Sequence, residues 1–101
     1  MLVMLTRSPF QRLDYRRNLQ LAMTQPGSEV VLLQDAVLAL QQAPADYQDM
    51  VERARNQGIN FYALAPDLQA RGLDTRAPYP GTRVIEYGEM VDLIVKHGKV
   101  L

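Results

Sequence analysis

The sequence predicts an α/β fold, a small doubly wound, flavodoxin-like sandwich built on a four-stranded, mainly parallel sheet. Two observations lead to this class. Short apolar runs, typical of parallel strands buried on both faces, alternate four times with segments of helical pattern. The length of 101 residues is that of one small domain, 1–101. Crossovers between parallel strands are almost always right-handed, and we expect the strand order 2-1-3-4.

The predicted strands are residues 1–5, 29–33, 59–64 and 83–86. Between the first two, the stretch from Ser8 to Gln11 has the form of a capping box with Pro9 at the first helical position, which predicts a helix. The apolar face of this helix is weak, so a start at Asp14 is the alternative. After the second strand, Asp35 is placed to cap a short helix that extends to Leu40 and that Pro44 interrupts.

The next helix has the clearest pattern in the chain. Asp46 can cap it, and Gly58 can end it in a left-handed conformation. Its apolar positions fall at i, i+3, i+4 and i+7, namely Tyr47, Met50, Val51 and Ala54. Pro66 then opens a helix of one to two turns that extends to Arg71 and stops at Gly72.

The C-terminal part of the chain contains a loop and a last helix. Residues 74–82 hold two prolines and a glycine, which predicts a surface loop. The last helix has the apolar positions Met90, Leu93, Ile94 and Val95 and ends at Gly98.

Charge and composition exclude several classes of protein. Lys plus Arg and Asp plus Glu each number 11, so no net field favours nucleic acid or an anionic membrane, and we expect no direct binding to either. The absence of cysteine excludes disulfides, thiolate zinc sites and cysteine-based mechanisms. The apolar runs are too short for a membrane span and the N-terminus lacks a basic leader, so we expect a cytoplasmic protein.

Asp35 is the carboxylate of most interest, because it follows a strand at the carboxyl edge where doubly wound sheets bind ligands or partners. A receiver domain keeps a phospho-accepting aspartate in such a place. That hypothesis needs an acidic pair after the first strand to hold Mg²⁺, whereas this chain has Thr6 and Arg7 there. We therefore favour plain capping of a helix by Asp35.

No other residue pattern points to catalysis. The single histidine, His97, lies in the last helical turn, where a cation interacts favourably with the helix C-terminus, so we favour a structural or interface role. One histidine without thiolates cannot form the usual metal clusters, which leaves only carboxylate sites open, and no Gly-rich phosphate loop is present. We expect no catalytic residue, cofactor or metal. The candidate interface or crevice residues are Arg7, Gln34, Asp35, Tyr62, Asp67, Arg71, Lys96 and His97.

Arginines gather near the N-terminus, at positions 7, 12, 16 and 17. They could form a patch for RNA or for an acidic partner. With Asp14 among them and no net charge overall, we favour a solvated helix face.

Four stretches of the chain resemble the TusB/DsrH family of small sulfur-relay subunits. They are residues 5–10 (LTRSPF), 31–37 (VLLQDAV), 62–73 (YALAPDLQARGL) and 91–97 (VDLIVKH), in order and at nearly the spacing of the family. The resemblance spans essentially the whole chain. The departures, a slightly longer first helix region around 16–25 and a basic C-terminal tail, touch none of the four stretches.

The resemblance implies a DsrEFH-like fold and a place in a TusBCD-like heterohexamer, a dimer of trimers with TusC-like and TusD-like paralogues. In that family a cysteine of a sister subunit carries the persulfide, and the relay supports 2-thiolation of the wobble uridine of tRNA. A chain without cysteine is then a non-catalytic subunit.

Three alternatives stay open beside this one. They are a DsrH-like subunit of a sulfur-oxidising DsrEFH complex, a stand-alone protein-binding module, and an enzyme of the same fold. Produced alone, a subunit of this kind is expected to self-associate, as a dimer, through apolar side chains of its last two helices.

Overall fold

The structure is a computed structural model, and it describes residues 1–11, 13–76 and 79–101. Its strands are β1 (Leu2–Leu5), β2 (Glu29–Leu32), β3 (Asn60–Leu64) and β4 (Thr82–Ile85). The α-helices are α1 (Asp14–Met23), α2 (Ala45–Asn56), α3 (Ala65–Ala70) and α4 (Tyr87–His97), and a 3₁₀ helix spans Gln34–Leu40. All strand pairs are parallel, so the predicted α/β class with a four-stranded parallel sheet is confirmed.

The strands pair in chain order, β1-β2-β3-β4, so the predicted order 2-1-3-4 is wrong. The second edge of β1 is occupied by the end of the chain instead of by β3. There Leu2 N donates to Lys99 O at 3.1 Å, and Leu101 N donates to Leu2 O at 2.8 Å. Both orders satisfy the alternation of strands and helices. The pairing of residues 99–101 with β1 distinguishes them, and a three-residue segment carries no strand pattern that a sequence could reveal.

Helices cover both faces of the sheet, as the doubly wound class requires. One face carries Val3, Val30 and Phe61 and packs against α1 and α2. The opposite face, with side chains that include Leu2 and Val31, packs against α4. Because α4 crosses the sheet from the β4 edge to the β1 edge, it also delivers the chain end to β1.

Three predicted helix starts differ from the structure. The first helix begins at Asp14, the alternative start, while Ser8 forms a turn in which its Oγ accepts from Phe10 N at 3.3 Å. The predicted capping by Asp35 is wrong, because the 3₁₀ helix begins at Gln34 without a side-chain cap and Asp35 lies inside it. The predicted capping by Asp46 is also wrong, since this residue lies in the first turn of α2 and binds Arg16 at 2.7 Å.

The other helix predictions are confirmed to within a residue. The predicted apolar positions of α2 are all buried, and Gly58 follows with φ of 88°. The short helix at Pro66 spans Ala65–Ala70, and α4 ends at Gly98 with φ of 64°. Two residues of the predicted surface loop, 77 and 78, lie outside the described residues, as does Arg12. In the three described ranges, no helix has the length and apolar character needed to cross a membrane.

Candidate functional site

Seven of the eight candidate residues fall into two polar clusters. The Arg71 cluster consists of Gln34, Asp35, Asp67 and Arg71, at the carboxyl ends of β2 and β3. The Glu29 cluster consists of Glu29, Asn60, Tyr62, Lys96 and His97, and it begins at the amino end of β2. The eighth candidate, Arg7, is exposed and lines a cavity of about 60 Å³ with Asp14 and Tyr15.

The guanidinium of Arg71 organises the first cluster. Its Nε donates to Asp35 Oδ1 at 3.0 Å, and its Nη2 lies at 3.0 Å from the same oxygen. Nη1 donates to the carbonyl of Asp67 at 3.2 Å and lies 4.0 Å from its carboxylate. The 3₁₀ helix and α3 are therefore joined by one cation between two acidic side chains.

The backbone of Gln34 is the most unusual feature of this cluster. Within the described ranges it is the only non-glycine residue with positive φ, at 51°. Its N–H donates to Asp67 Oδ2 at 2.6 Å, which holds the left-handed conformation in place. This conformation is costly for a residue with a Cβ, so the contact with Asp67 matters for the shape of the edge. The side chain of Gln34 is exposed there.

Glu29 is the centre of the second cluster, and its side chain is only 5% exposed. Its Oε1 accepts from Lys96 Nζ at 3.0 Å and lies 2.8 Å from His97 Nε2. Its Oε2 accepts from Tyr62 Oη and, at 3.4 Å, from Asn60 Nδ2. Side chains from β3 and α4 therefore meet on one carboxylate, which ties the C-terminal turn of α4 to the sheet.

The electrostatics of the Glu29 cluster follow from this geometry. Burial alone would raise the pKa of Glu29, but hydrogen bonds from Tyr62, His97 and Lys96 outweigh it and lower that pKa to about 2. Burial and the hydrogen bond to Glu29 raise the pKa of Tyr62 to about 12. Near neutral pH, Glu29 stays ionised and Tyr62 stays protonated. Neither group is therefore suited to general acid–base work.

Sequence reasoning missed Glu29, although it identified three of its partners. A signal was available: Glu29 opens the apolar run EVVLL, where a strand buried on both faces has little room for a charge. A buried carboxylate needs a partner, and Lys96 and His97 are side chains of a later helix that could bind it. The expected structural role of His97 is consistent with this contact, although the interface roles of all eight candidates remain a prediction.

The described residues offer few groups that could bind a metal ion or act on a substrate. No group of three or more His, Cys, Asp or Glu side chains there could hold a metal ion. Each cluster contains ion pairs, and its polar groups already bind one another. They are suited to fixing loops and helices in place rather than to transforming a substrate.

Exposed apolar side chains form two further surfaces. The α4 stripe consists of Tyr87, Val91 and Val95, which are 54%, 52% and 76% exposed. The Phe10/Leu13 patch lies in the connection between β1 and α1, and its two residues are 59% and 60% exposed. Scattered apolar side chains are ordinary on a protein surface, whereas an aligned series on one helix indicates a contact surface.

Fold and composition together define a class, that of small doubly wound α/β proteins without a thiol. A family model described as "DsrH like protein" matches residues 7–100, and the chain belongs to this family. It is 41% identical to Protein TusB of Serratia proteamaculans over 97 residues, which are 96% of this chain and 94% of that protein. Protein TusB of Escherichia coli matches with 40% identity and the same coverage.

Solved structures show the same fold. The YchN protein of E. coli superimposes with a TM-score of 0.83 at 20% identity, covering 99% of this chain and 95% of that one. A protein from Methanobacterium thermoautotrophicum matches with a TM-score of 0.72 at 19% identity and the same coverage. At these identities the likeness concerns the fold alone.

Proposed function

We propose that this chain is a non-catalytic subunit of a cytoplasmic sulfur relay that supports 2-thiolation of the wobble uridine of tRNA. The observation that carries the proposal is membership of the DsrH-like family by a chain that has no cysteine. A persulfide needs a thiolate, and methionine sulfur, already bonded to two carbons, cannot replace it. The relatives with the name TusB favour the tRNA branch. The sulfur itself must then travel on another chain.

The partners that we propose are TusC-like and TusD-like paralogues, in a heterohexamer built as a dimer of trimers. A subunit of such an assembly needs more than one contact surface. The α4 stripe and the Phe10/Leu13 patch lie in different parts of the fold, one on α4 and the other in the connection between β1 and α1, which supports this requirement. Residues 1–101 act in this proposal as one domain. With no net charge, the chain itself does not bind the tRNA.

The role of the subunit is to form one wall around the relay cysteine of a sister subunit. A persulfide is labile, so a pocket that limits solvent and positions the incoming thiol favours transfer. The Arg71 cluster is suited to such a wall because Arg71 and Asp67 hold the edge around Gln34 in one conformation. Substitutions there should weaken the relay without abolishing it.

The covalent part of the proposal is tested by intact-mass spectrometry. The purified chain is incubated with a cysteine desulfurase and isotopically labelled cysteine, beside a TusD-like paralogue as the positive control. We expect the mass of this chain to stay unchanged while the paralogue gains sulfur. A stable gain of one sulfur atom on this chain would contradict the non-catalytic role.

The cellular part is tested by deleting the gene and measuring thiolated nucleosides in bulk tRNA by mass spectrometry. We expect wobble 2-thiouridine to fall sharply and to return when the wild-type gene is supplied. Immunoblots of the sister subunits show whether they persist without this chain. Wild-type levels of 2-thiouridine in the deletion strain, with the sister subunits present, would contradict the tRNA assignment.

A sulfur-oxidising role is the second candidate, and the description of the family model as DsrH-like favours it. The same deletion strain distinguishes the two. A loss of growth on reduced sulfur compounds with normal 2-thiouridine would support the sulfur-oxidising role and exclude the tRNA role.

A further inference from the structure

A cavity of about 290 Å³ lies on the face of the sheet that α1 and α2 cover, above Phe61 of β3. Helix α2 forms one wall of this cavity, and the 3₁₀ helix forms another with Ala39 and Leu40. The connection to β4 borders it at Tyr79 and Pro80. The residues of the Arg71 and Glu29 clusters lie outside it. Its volume is close to the lower end of the range for small-molecule sites, which is about 300 Å³.

The wall formed by α2 is apolar in its middle and polar at its ends. Tyr47, Val51 and Arg55 fall at i, i+4 and i+8, so the three side chains follow one side of the helix along the cavity. Across from them, the rings of Phe61 and Tyr79 also line the cavity. Aromatic walls of this kind bind the apolar body of a small molecule, and a few polar groups among them fix its orientation.

The guanidinium of Arg55 has donors to spare. Its Nη1 donates to Pro80 O at 2.9 Å. Its Nε is buried and has no hydrogen-bond partner among the described residues. Its Nη2 lies 3.7 Å from Glu52 Oε2, which is beyond hydrogen-bond distance. In the three described ranges, this cation therefore makes one hydrogen bond, to a neutral carbonyl, and has no carboxylate in direct contact.

The backbone around Gly81 holds this guanidinium in place. A Cβ built on Gly81 would lie 2.2 Å from Arg55 Nη1, so the connection to β4 is packed closely against the arginine side chain. The hydrogen bond to Pro80 O fixes the same end of the side chain. A charged group that is already held in one orientation loses little entropy when a ligand binds it.

The second polar group in the cavity wall is the hydroxyl of Tyr47. This residue is only 6% exposed, yet its hydroxyl makes no hydrogen bond with any described residue. A buried hydroxyl ordinarily has a partner. Burial and the neighbouring Tyr15 raise the pKa of Tyr47, and the charge of Arg55 offsets this only in part, so the hydroxyl keeps its proton near neutral pH. Tyr47 and Arg55 are thus two donors along one side of α2 that lack an acceptor.

We propose that this cavity binds a small molecule that has an aromatic body and a carboxylate. The carboxylate accepts from Arg55 Nη2 and from the hydroxyl of Tyr47, and the ring packs against Phe61 and Tyr79. Hydrogen bonds between a guanidinium and a carboxylate are about twice as strong as neutral ones, which favours a carboxylate over an uncharged acceptor. The site belongs to the isolated chain, so the proposal does not rest on a role in the relay.

The probe for the first test is 3-phenylpropanoate, titrated into the full chain labelled with ¹⁵N and followed by NMR. We expect saturable binding with a Kd below about 1 mM, and the largest shifts at amides that line the cavity. 3-Phenyl-1-propanol has the same body without the charge and should bind at least about fivefold more weakly. Absence of saturable binding, or shifts centred elsewhere, would overturn the site. Equal binding of the alcohol would overturn the carboxylate class.

The role of the cation is tested by Arg55→Gln. We expect the Kd of 3-phenylpropanoate to rise at least about tenfold, and that of the alcohol to change by less than about twofold. Arg53→Gln is the matched control, because Arg53 is an exposed arginine of the same helix that lies outside the cavity. It should leave both Kd values within about twofold of wild type. Equal losses in the two variants would show a general effect of charge and would overturn the site.

Two further variants do not remove the contact between Arg55 and Pro80. Tyr47→Phe keeps the ring and removes a hydroxyl without a partner in the described part of the chain, so thermal unfolding should be unchanged while the Kd of 3-phenylpropanoate rises about tenfold. Glu52→Gln removes the carboxylate nearest to Arg55 and should lower that Kd about twofold or more. Wild-type affinity in Tyr47→Phe, or weaker binding in Glu52→Gln, would overturn the proposed contacts.

Discussion

The two polar clusters use similar residues in different surroundings. In the Glu29 cluster the carboxylate and its histidine partner are 5% and 7% exposed. In the Arg71 cluster the cation is 24% exposed and its partner Asp35 is 51% exposed. Water can replace a lost partner in the second case but not in the first. We therefore expect the Glu29 cluster to govern the stability of the fold, and the Arg71 cluster to govern the shape of one edge.

The largest expected effect is that of Glu29→Ala. The variant leaves Tyr62, Lys96 and His97 without their common acceptor, and we expect the free energy of unfolding to fall by about 3 kcal/mol. Urea denaturation followed by circular dichroism measures it. Asp35→Ala is the matched control and should cost less than about 1 kcal/mol. Equal losses in the two variants would contradict the comparison.

The second-largest expected effect is a dependence of stability on pH, which should come from Glu29. Its pKa is about 2 in the folded chain and 4.5 ordinarily, so the folded state favours the ionised form. The stabilisation is complete above pH 4.5 and is lost as the pH falls towards 2, by up to about 3 kcal/mol. Unfolding of wild type and Glu29→Gln, compared between pH 5 and 2, should show this loss in the wild type only. Parallel curves for the two proteins would argue against the lowered pKa.

Removal of the guanidinium in Arg71→Ala should cost only about 1 kcal/mol, because Asp35 is half exposed and Asp67 keeps its hydrogen bond from Gln34 N. The loss should also shrink in about 1 M NaCl, where exposed charges are screened. The cost of Glu29→Ala should change little with salt. Urea unfolding at low and high salt tests both statements. A loss in Arg71→Ala that does not change with salt would show that the Arg71 cluster behaves like a buried one.

The smallest expected effect is a gain in stability from Gln34→Gly. Glycine adopts positive φ without steric cost, but it also has more freedom in the unfolded chain, so we expect a net gain of about 0.5 kcal/mol. Gln41→Gly is the matched control, because Gln41 ends the same 3₁₀ helix with an ordinary φ of −88°. We expect the free energy of unfolding of Gln41→Gly to fall by about 0.5 kcal/mol. A loss in Gln34→Gly would show that the side chain of Gln34 contributes more than its backbone conformation costs.

Local patterns in the sequence determined the class of fold and several element boundaries. The apolar positions of α2, Tyr47 to Ala54, and the left-handed residues Gly58 and Gly98 needed no knowledge of distant contacts. Periodicity and backbone conformation are properties of neighbouring residues, so the sequence displays them directly. The absence of a thiol is likewise fixed by composition, and it excludes a cysteine persulfide on these 101 residues whatever their fold.

The tertiary structure decided what depends on residues far apart in the chain. The strand order rests on the pairing of residues 99–101 with β1, and the carboxylate of Glu29 binds His97, which is 68 positions away. Asp35 looked like a cap from its neighbours alone, yet its carboxylate binds Arg71, 36 positions further along the chain. Long-range contacts are set by the packing of whole elements, so the pattern of a short segment does not indicate which distant side chain it contacts.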